Sequence, residues 1–164
     1  MKTVLSFPSG GAADTVSMLA RWLLGGLFIY TGFHKALYPV EFLKLVRQYD
    51  LIENYFLLNA IAVHLPWFEV FCGLLLVSGV AVRGSALMLL FMLVPFTVMV
   101  LNRALAIHAL QAIPFCAVKF DCGCGMGEVF ICHKLVENCL LILLSAWLLR
   151  GSGRRWCVRY GLIR

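Results

Sequence analysis

Apolar residues gather in four long stretches, at about 17–37, 60–82, 84–107 and 129–149. Each has roughly the 20 residues that a helix needs to cross a bilayer core. Gly84, beside Arg83, punctuates a short turn between the second and third. The segment 38–59 is different, because it mixes charges with Phe42, Leu43, Leu45, Val46 and Tyr49. That spacing suits an amphipathic helix lying on the membrane surface. The pattern predicts an all-α, integral membrane four-helix bundle with a surface amphipathic segment between helices 1 and 2. Residues 1–16 are small and polar, without a leading apolar run and small-residue cleavage site. They read as a tail, with the first helix an uncleaved signal anchor. Residues 17–150 form the membrane domain and 151–164 a basic tail, and no internal repeat is present.

Composition decides the solvent. Of the 164 residues, 62% are hydrophobic and 13% charged, against about 45–50% and about 25% in ordinary soluble domains. A soluble fold of this size lacks the interior to hide so much apolar surface. Lipid must cover it.

The 14 Lys and Arg against 8 Asp and Glu raise the question of nucleic acid. Their placement excludes that class: Arg150, Arg154, Arg155, Arg159 and Arg164 crowd the C-terminus, as expected of a cytoplasmic tail beside anionic lipid. Four spans put both termini on one side, with eight Lys and Arg there and six on the other. The expectation is a bacterial cytoplasmic membrane protein with both termini inside. The segment 38–59 and the loop near residue 122 then face outside, where disulfides persist.

That loop carries the candidate chemistry. Cys122-Gly-Cys124-Gly lies in the run Phe120–Glu128, flanked by Cys116 and Cys132. Three readings are open for it. As redox thiols, one sulfur attacks and its neighbour resolves; a disulfide across one residue is strained and readily exchanged, and Gly123 and Gly125 give the backbone freedom to close it. As metal ligands, Cys122, Cys124, Cys132 and His133 offer zinc or copper donors, though not in a standard zinc-ribbon spacing. As structural disulfides, Cys116 or Cys132 pins the loop to the fourth helix. Cys72 and Cys139 sit inside apolar spans and read as small hydrophobes, and Cys157 lies in the basic tail.

Glu69 stands in an otherwise uncharged stretch from Asn54 to Val82, apart from His64. An acid there must be paired, protonated or turned to a polar cavity, and marks a functional hypothesis. Lys35 and Arg103 are its candidate partners. Pro66 opens the helix just upstream and frees carbonyls for a polar patch. Gly32 permits close helix packing. His34, His64 and His108 fall near span ends, where interfacial placement is the ordinary role. The candidate cofactor-binding set is Glu69, Lys35, Arg103 and His64.

Thr31-Gly32-x-x-Lys35 with Pro39, Tyr49-x-Leu51, Leu65-Pro66-x-x-Glu69-x-x-x-Gly73, Cys122-Gly-Cys124-Gly, and Leu135-Val-x-Asn138 with Leu140-Leu141 follow one another in order. In these pieces the chain resembles the DoxX/MauE superfamily, in its MauE-like, redox-associated branch, over about residues 20–150. It departs at Glu137, where such proteins often carry arginine, and in the extra Cys116 and Cys132. The resemblance implies a four-helix membrane bundle linked to disulfide or sulfur chemistry outside the membrane.

Together these readings point to a thiol–disulfide or sulfur oxidoreductase. Cys122 and Cys124, with Cys116 and Cys132 as a second pair, form a redox-active disulfide system that exchanges electrons with an extracytoplasmic thioredoxin-like or rhodanese-like partner. Lys119, Lys134 or Arg103 lowers the thiol pKa, and a quinone between the helices takes the electrons. The rivals are a non-catalytic anchor or assembly subunit, and a small-molecule or metal channel lined by Glu69, Arg103 and histidines. Oligomeric state is not legible.

Overall fold

The computed structural model describes residues 12–48, 54–121 and 127–150. Cys122, Cys124 and Cys157 lie outside them, as do both tails. Helix α1 spans Ala12–Leu37, α2 Pro39–Gln48, α3 Tyr55–Ser78, α4 Val82–Gln111 and α5 Ile131–Leu149. All but α2 are long and apolar enough to cross a membrane. Between α4 and α5 come a 3₁₀ turn, Phe115–Ala117, and two short strands, β1 (Lys119–Asp121) and β2 (Glu128–Phe130).

The element ends follow local chemistry. Pro39 starts α2 at a position where its missing N–H costs nothing. Asn54 caps α3 by accepting from the backbone N–H of Phe56 and Leu57 at 2.9 and 3.3 Å. This cap moves the start of the second span from 60 to Tyr55, and of the expected 38–59 segment the described residues form α2 and the first turn of α3, while Tyr49 and the rest of 49–53 lie outside them. The break between α3 and α4 comes at Gly79, whose φ of 72° forms a left-handed cap. Gly84, expected to mark this break, lies in the first turn of α4.

The packing is inverted relative to a soluble protein. Leu23, Phe33, Trp67, Phe91, Leu140 and Leu143 are exposed, whereas Arg21, Lys35, Glu69, Lys134, Asn138 and Ser145 are buried. Lipid is as apolar as leucine, so the outside needs no polar face and polar groups collect inside. The most extensive helix contact joins α1 and α3. It is a close approach of backbones: a Cβ on Gly25 would stand 2.8 Å from the Gly73 carbonyl oxygen, and one on Gly32 2.8 Å from that of Pro66.

The described part of the α4–α5 connection is a clamped strand pair, and the glycine-rich run 122–126 between the strands lies outside the described residues. β1 and β2 pair antiparallel, Lys119 with Phe130 and Asp121 with Glu128. Cys116 and Cys132 are joined by a disulfide that ties the 3₁₀ turn to the first turn of α5. Val118 and Ile131 are buried beneath it with Val100 and Ala104, and the Ile131 N–H donates to the Val118 carbonyl at 3.1 Å.

Candidate functional site

The sequence placed a lone acid in an apolar span, and the fold gives it a partner. Gly32 lets α1 lie against Pro66 and Glu69 of α3, with Glu69 Cβ 3.0 Å from the position a Gly32 side chain would take. Lys35, three residues on from Gly32, then donates from Nζ to both Glu69 carboxylate oxygens at 2.8 Å. The pair is buried, and Lys35 Nζ also lies 5.4 Å from the Phe42 ring centre and 5.9 Å from that of Phe96. Glu69 is fourteen residues from Tyr55 and nine from Ser78, or about 21 and 14 Å along the helix. Glu69 therefore lies well inside α3, and Lys35 reaches it from the last turn of α1.

Lys35 and Glu69 form one wall of a cavity of about 320 Å³ among α1, α3, α4 and α5. Thr31, Lys134 and Asn138 add polar atoms. Phe28, Phe42, Phe96, Met99 and Leu141 are among the apolar residues that line the rest. Leu45 and Val46 of α2 also line it, so the apolar face of α2 rests over the cavity. Lys134 donates to Glu137 Oε2 at 3.1 Å. Asn138 is 1% exposed, and its Nδ2 has no hydrogen-bond partner. On α5, Lys134 comes two residues after Cys132, about 3 Å of helix rise, so the cavity begins just beneath the disulfide.

The sequence-derived candidates separate. Glu69 and Lys35 come together, while Arg103, the other proposed partner of Glu69, is half-buried elsewhere on α4 and does not line the cavity. His64 is also outside it: the side chain is exposed and borders a lipid-facing groove with Trp67, Phe68 and Phe71. Five residues separate His64 from Glu69, about 500° of helical rotation, which leaves the two side chains on different faces. Cys116 and Cys132 are bonded to each other and Cys72 is buried and free. Among the described residues no three His, Cys, Asp or Glu side chains gather as a metal site. Sequence reasoning used Lys134 only as a modulator of thiols and Asn138 only as part of a motif. The available signal was the cost of a buried lysine and amide in a span, the same signal that singled out Glu69.

A multi-pass membrane protein follows from the four spans. No curated protein and no solved structure matches the chain. The family model of methylamine utilisation protein MauE matches residues 13–151, most of the 164-residue chain, and the chain therefore belongs to the MauE family.

Proposed function

We propose that this protein is a thiol–disulfide oxidoreductase of the bacterial cytoplasmic membrane, passing electrons from an extracytoplasmic protein thiol to the quinone pool. The observation that carries the proposal is the Lys35–Glu69 pair on the wall of an apolar cavity within the bundle, which begins close beneath the Cys116–Cys132 disulfide. Cys122 and Cys124 follow β1 in sequence. In their disulfide form they exchange with a dithiol of a thioredoxin-like or rhodanese-like partner, which leaves oxidised and leaves Cys122 and Cys124 as thiols. Reoxidation of that dithiol releases two electrons and two protons, which convert one quinone to quinol. Lys119, whose Nζ lies 4.1 Å from the Phe130 ring centre, stands three residues before Cys122 in sequence.

The residues present suit such an acceptor: apolar and aromatic walls for a ring, Lys35 and Asn138 as donors to carbonyl oxygens, and Glu69 with Lys35 as groups that move protons. Both termini lie in the cytoplasm, a placement supported by eight Lys and Arg on that side against six on the other. The family takes its name from methylamine utilisation, and a disulfide-bearing extracytoplasmic enzyme of that metabolism is the client this reading favours.

Alkylation trapping in intact membranes tests the thiol chemistry. An impermeant maleimide should modify Cys122 and Cys124 from outside after reduction, and Cys122→Ser or Cys124→Ser should abolish partner oxidation. Unchanged oxidation in both variants refutes the redox reading. It would favour the second one, a non-catalytic assembly subunit, for which the Cys116–Cys132 clamp is a purely structural device.

A further inference from the structure

The buried polar groups of the bundle are satisfied in different ways. Thr97 and Ser145 donate to carbonyls of their own helices, Leu93 and Leu141, at 2.7 and 2.8 Å. Lys35 and Glu69 satisfy each other, and Lys134 has Glu137. Among the described residues Ser85 Oγ and Asn138 Nδ2 are buried without a hydrogen-bond partner, and of these two residues only Asn138 lines the cavity. Its buried Nδ2 has no acceptor from the described residues. A buried donor without an acceptor is costly and calls for an explanation. An apolar residue of the same shape would serve the bundle better.

The cavity around it defines what the missing acceptor belongs to. Its cations are each matched by a carboxylate, Lys35 by Glu69 and Lys134 by Glu137, so no net charge awaits an ionic ligand. Most of the wall is aliphatic or aromatic. The volume of about 320 Å³ suits one substituted ring and the start of a tail, not a lipid with two chains. Ile61 and Leu65 line this cavity and also the lipid-facing groove on the outer side of α3. Two side chains thus separate the site from the bilayer, the phase in which an uncharged apolar molecule is dissolved.

We infer that Asn138 is the ligand-recognition residue of the central cavity, donating its amide N–H to a carbonyl oxygen of an uncharged, ring-bearing ligand drawn from the membrane. This deepens the quinone half of the function proposed above and rests on it, while owing nothing to the cysteines. Asn138 positions the carbonyl, and the Lys35–Glu69 pair lies on the same cavity wall.

The test pairs binding with stability in purified full-length protein. The probe is a short-tailed 1,4-benzoquinone carrying a ¹³C-labelled carbonyl, titrated into wild type and Asn138→Leu. A ligand role predicts opposite signs: Asn138→Leu binds the probe at least tenfold more weakly, yet without ligand it melts at the same temperature as wild type or higher. Infrared difference spectra of wild type should show the bound carbonyl stretch lowered by a hydrogen bond, a measurement independent of whether the variant folds. Equal affinity in the two proteins, a bound carbonyl stretch at its free position, or no binding to wild type overturns the inference. Failure of the thiol reading is seen separately, in the trapping of Cys122 and Cys124, which Asn138→Leu does not touch.

Discussion

The Lys35–Glu69 pair makes a quantitative prediction. At the observed 2.8 Å separation, Coulomb's law with an effective dielectric of about 20 gives about 6 kcal/mol of attraction. Desolvation of both ions offsets most of it, so the net worth of the pair is small while the cost of breaking it is large: about 3–5 kcal/mol when one partner is removed. The two single substitutions differ in what they leave behind. Glu69→Leu strands a lysine that still faces Phe42 and Phe96, contacts worth about 0.5–2 kcal/mol where desolvated, so its cost should sit near 3 kcal/mol. Lys35→Met strands a buried carboxylate with no such aromatic contact, so its cost should sit toward about 5 kcal/mol, at the upper end of the range of about 3–5 kcal/mol. The double variant removes both ions and should lie within about 1 kcal/mol of wild type, because well-packed apolar pairs replace buried ion pairs at little cost. A double-mutant cycle, read from tryptophan fluorescence during unfolding in mixed micelles, should give a coupling of about 3 kcal/mol or more. A coupling under about 0.5 kcal/mol, the usual scatter for independent sites, would show that the charges do not sense each other and would refute the argument.

Gly32→Ala should destabilise the bundle by about 1–3 kcal/mol through overpacking against the Pro66 carbonyl. It should also lower the coupling in the cycle above, whereas Gly26→Ala, where a Cβ meets nothing within 4 Å, should be neutral or stabilising. Cys116→Ser with Cys132→Ser opens a loop with a sequence separation of 16 residues and should cost about 3 kcal/mol. Faster proteolysis between α4 and α5 is the readout, and an unchanged cleavage rate would mean that β1, β2 and Ile131 hold the hairpin without the disulfide. Trp in place of Leu65 should slow uptake of the benzoquinone probe from vesicles, and unchanged kinetics would place the entry route elsewhere.

How far the sequence could be read depended on which property each feature rests on. The four spans rest on summed hydropathy, a property of whole segments, and all four were legible. Their ends rest on single residues: the Asn54 cap and the left-handed Gly79 are each one position that hydropathy averages away. The partner of Glu69 was narrowed to Lys35 or Arg103, and only the close approach at Gly32 chooses between them. The β1–β2 pairing was missed because three-residue strands carry no period long enough to recognise. Cys116 and Cys132 could be named as a possible clamp, but a sequence does not state which sulfur meets which.

Helix α5 shows why the cavity itself escaped the sequence and how it connects to the hairpin. Its buried positions are Ile131, Lys134, Asn138, Leu141, Ser145 and Leu148, spaced by three and four residues as at the seam of a coiled coil. Half of that seam is polar, while Val136, Leu140 and Leu143 are exposed. In a soluble helix the buried stripe is the more apolar one and hydrophobic periodicity finds it. Here lipid removes that contrast, so the useful signal is the period of the polar residues: Lys134, Asn138 and Ser145 fall in one heptad frame. Along the same seam Ile131 seats the hairpin, with Cys132 beside it fastening the disulfide, and Lys134 and Asn138 shape the cavity wall. A rotation of α5 that moves one must move the other. If the proposed function holds, exchange at the hairpin and occupancy of the cavity are coupled through one rigid element, and the benzoquinone probe should protect the α4–α5 connection from proteolysis in wild type but not in Asn138→Leu.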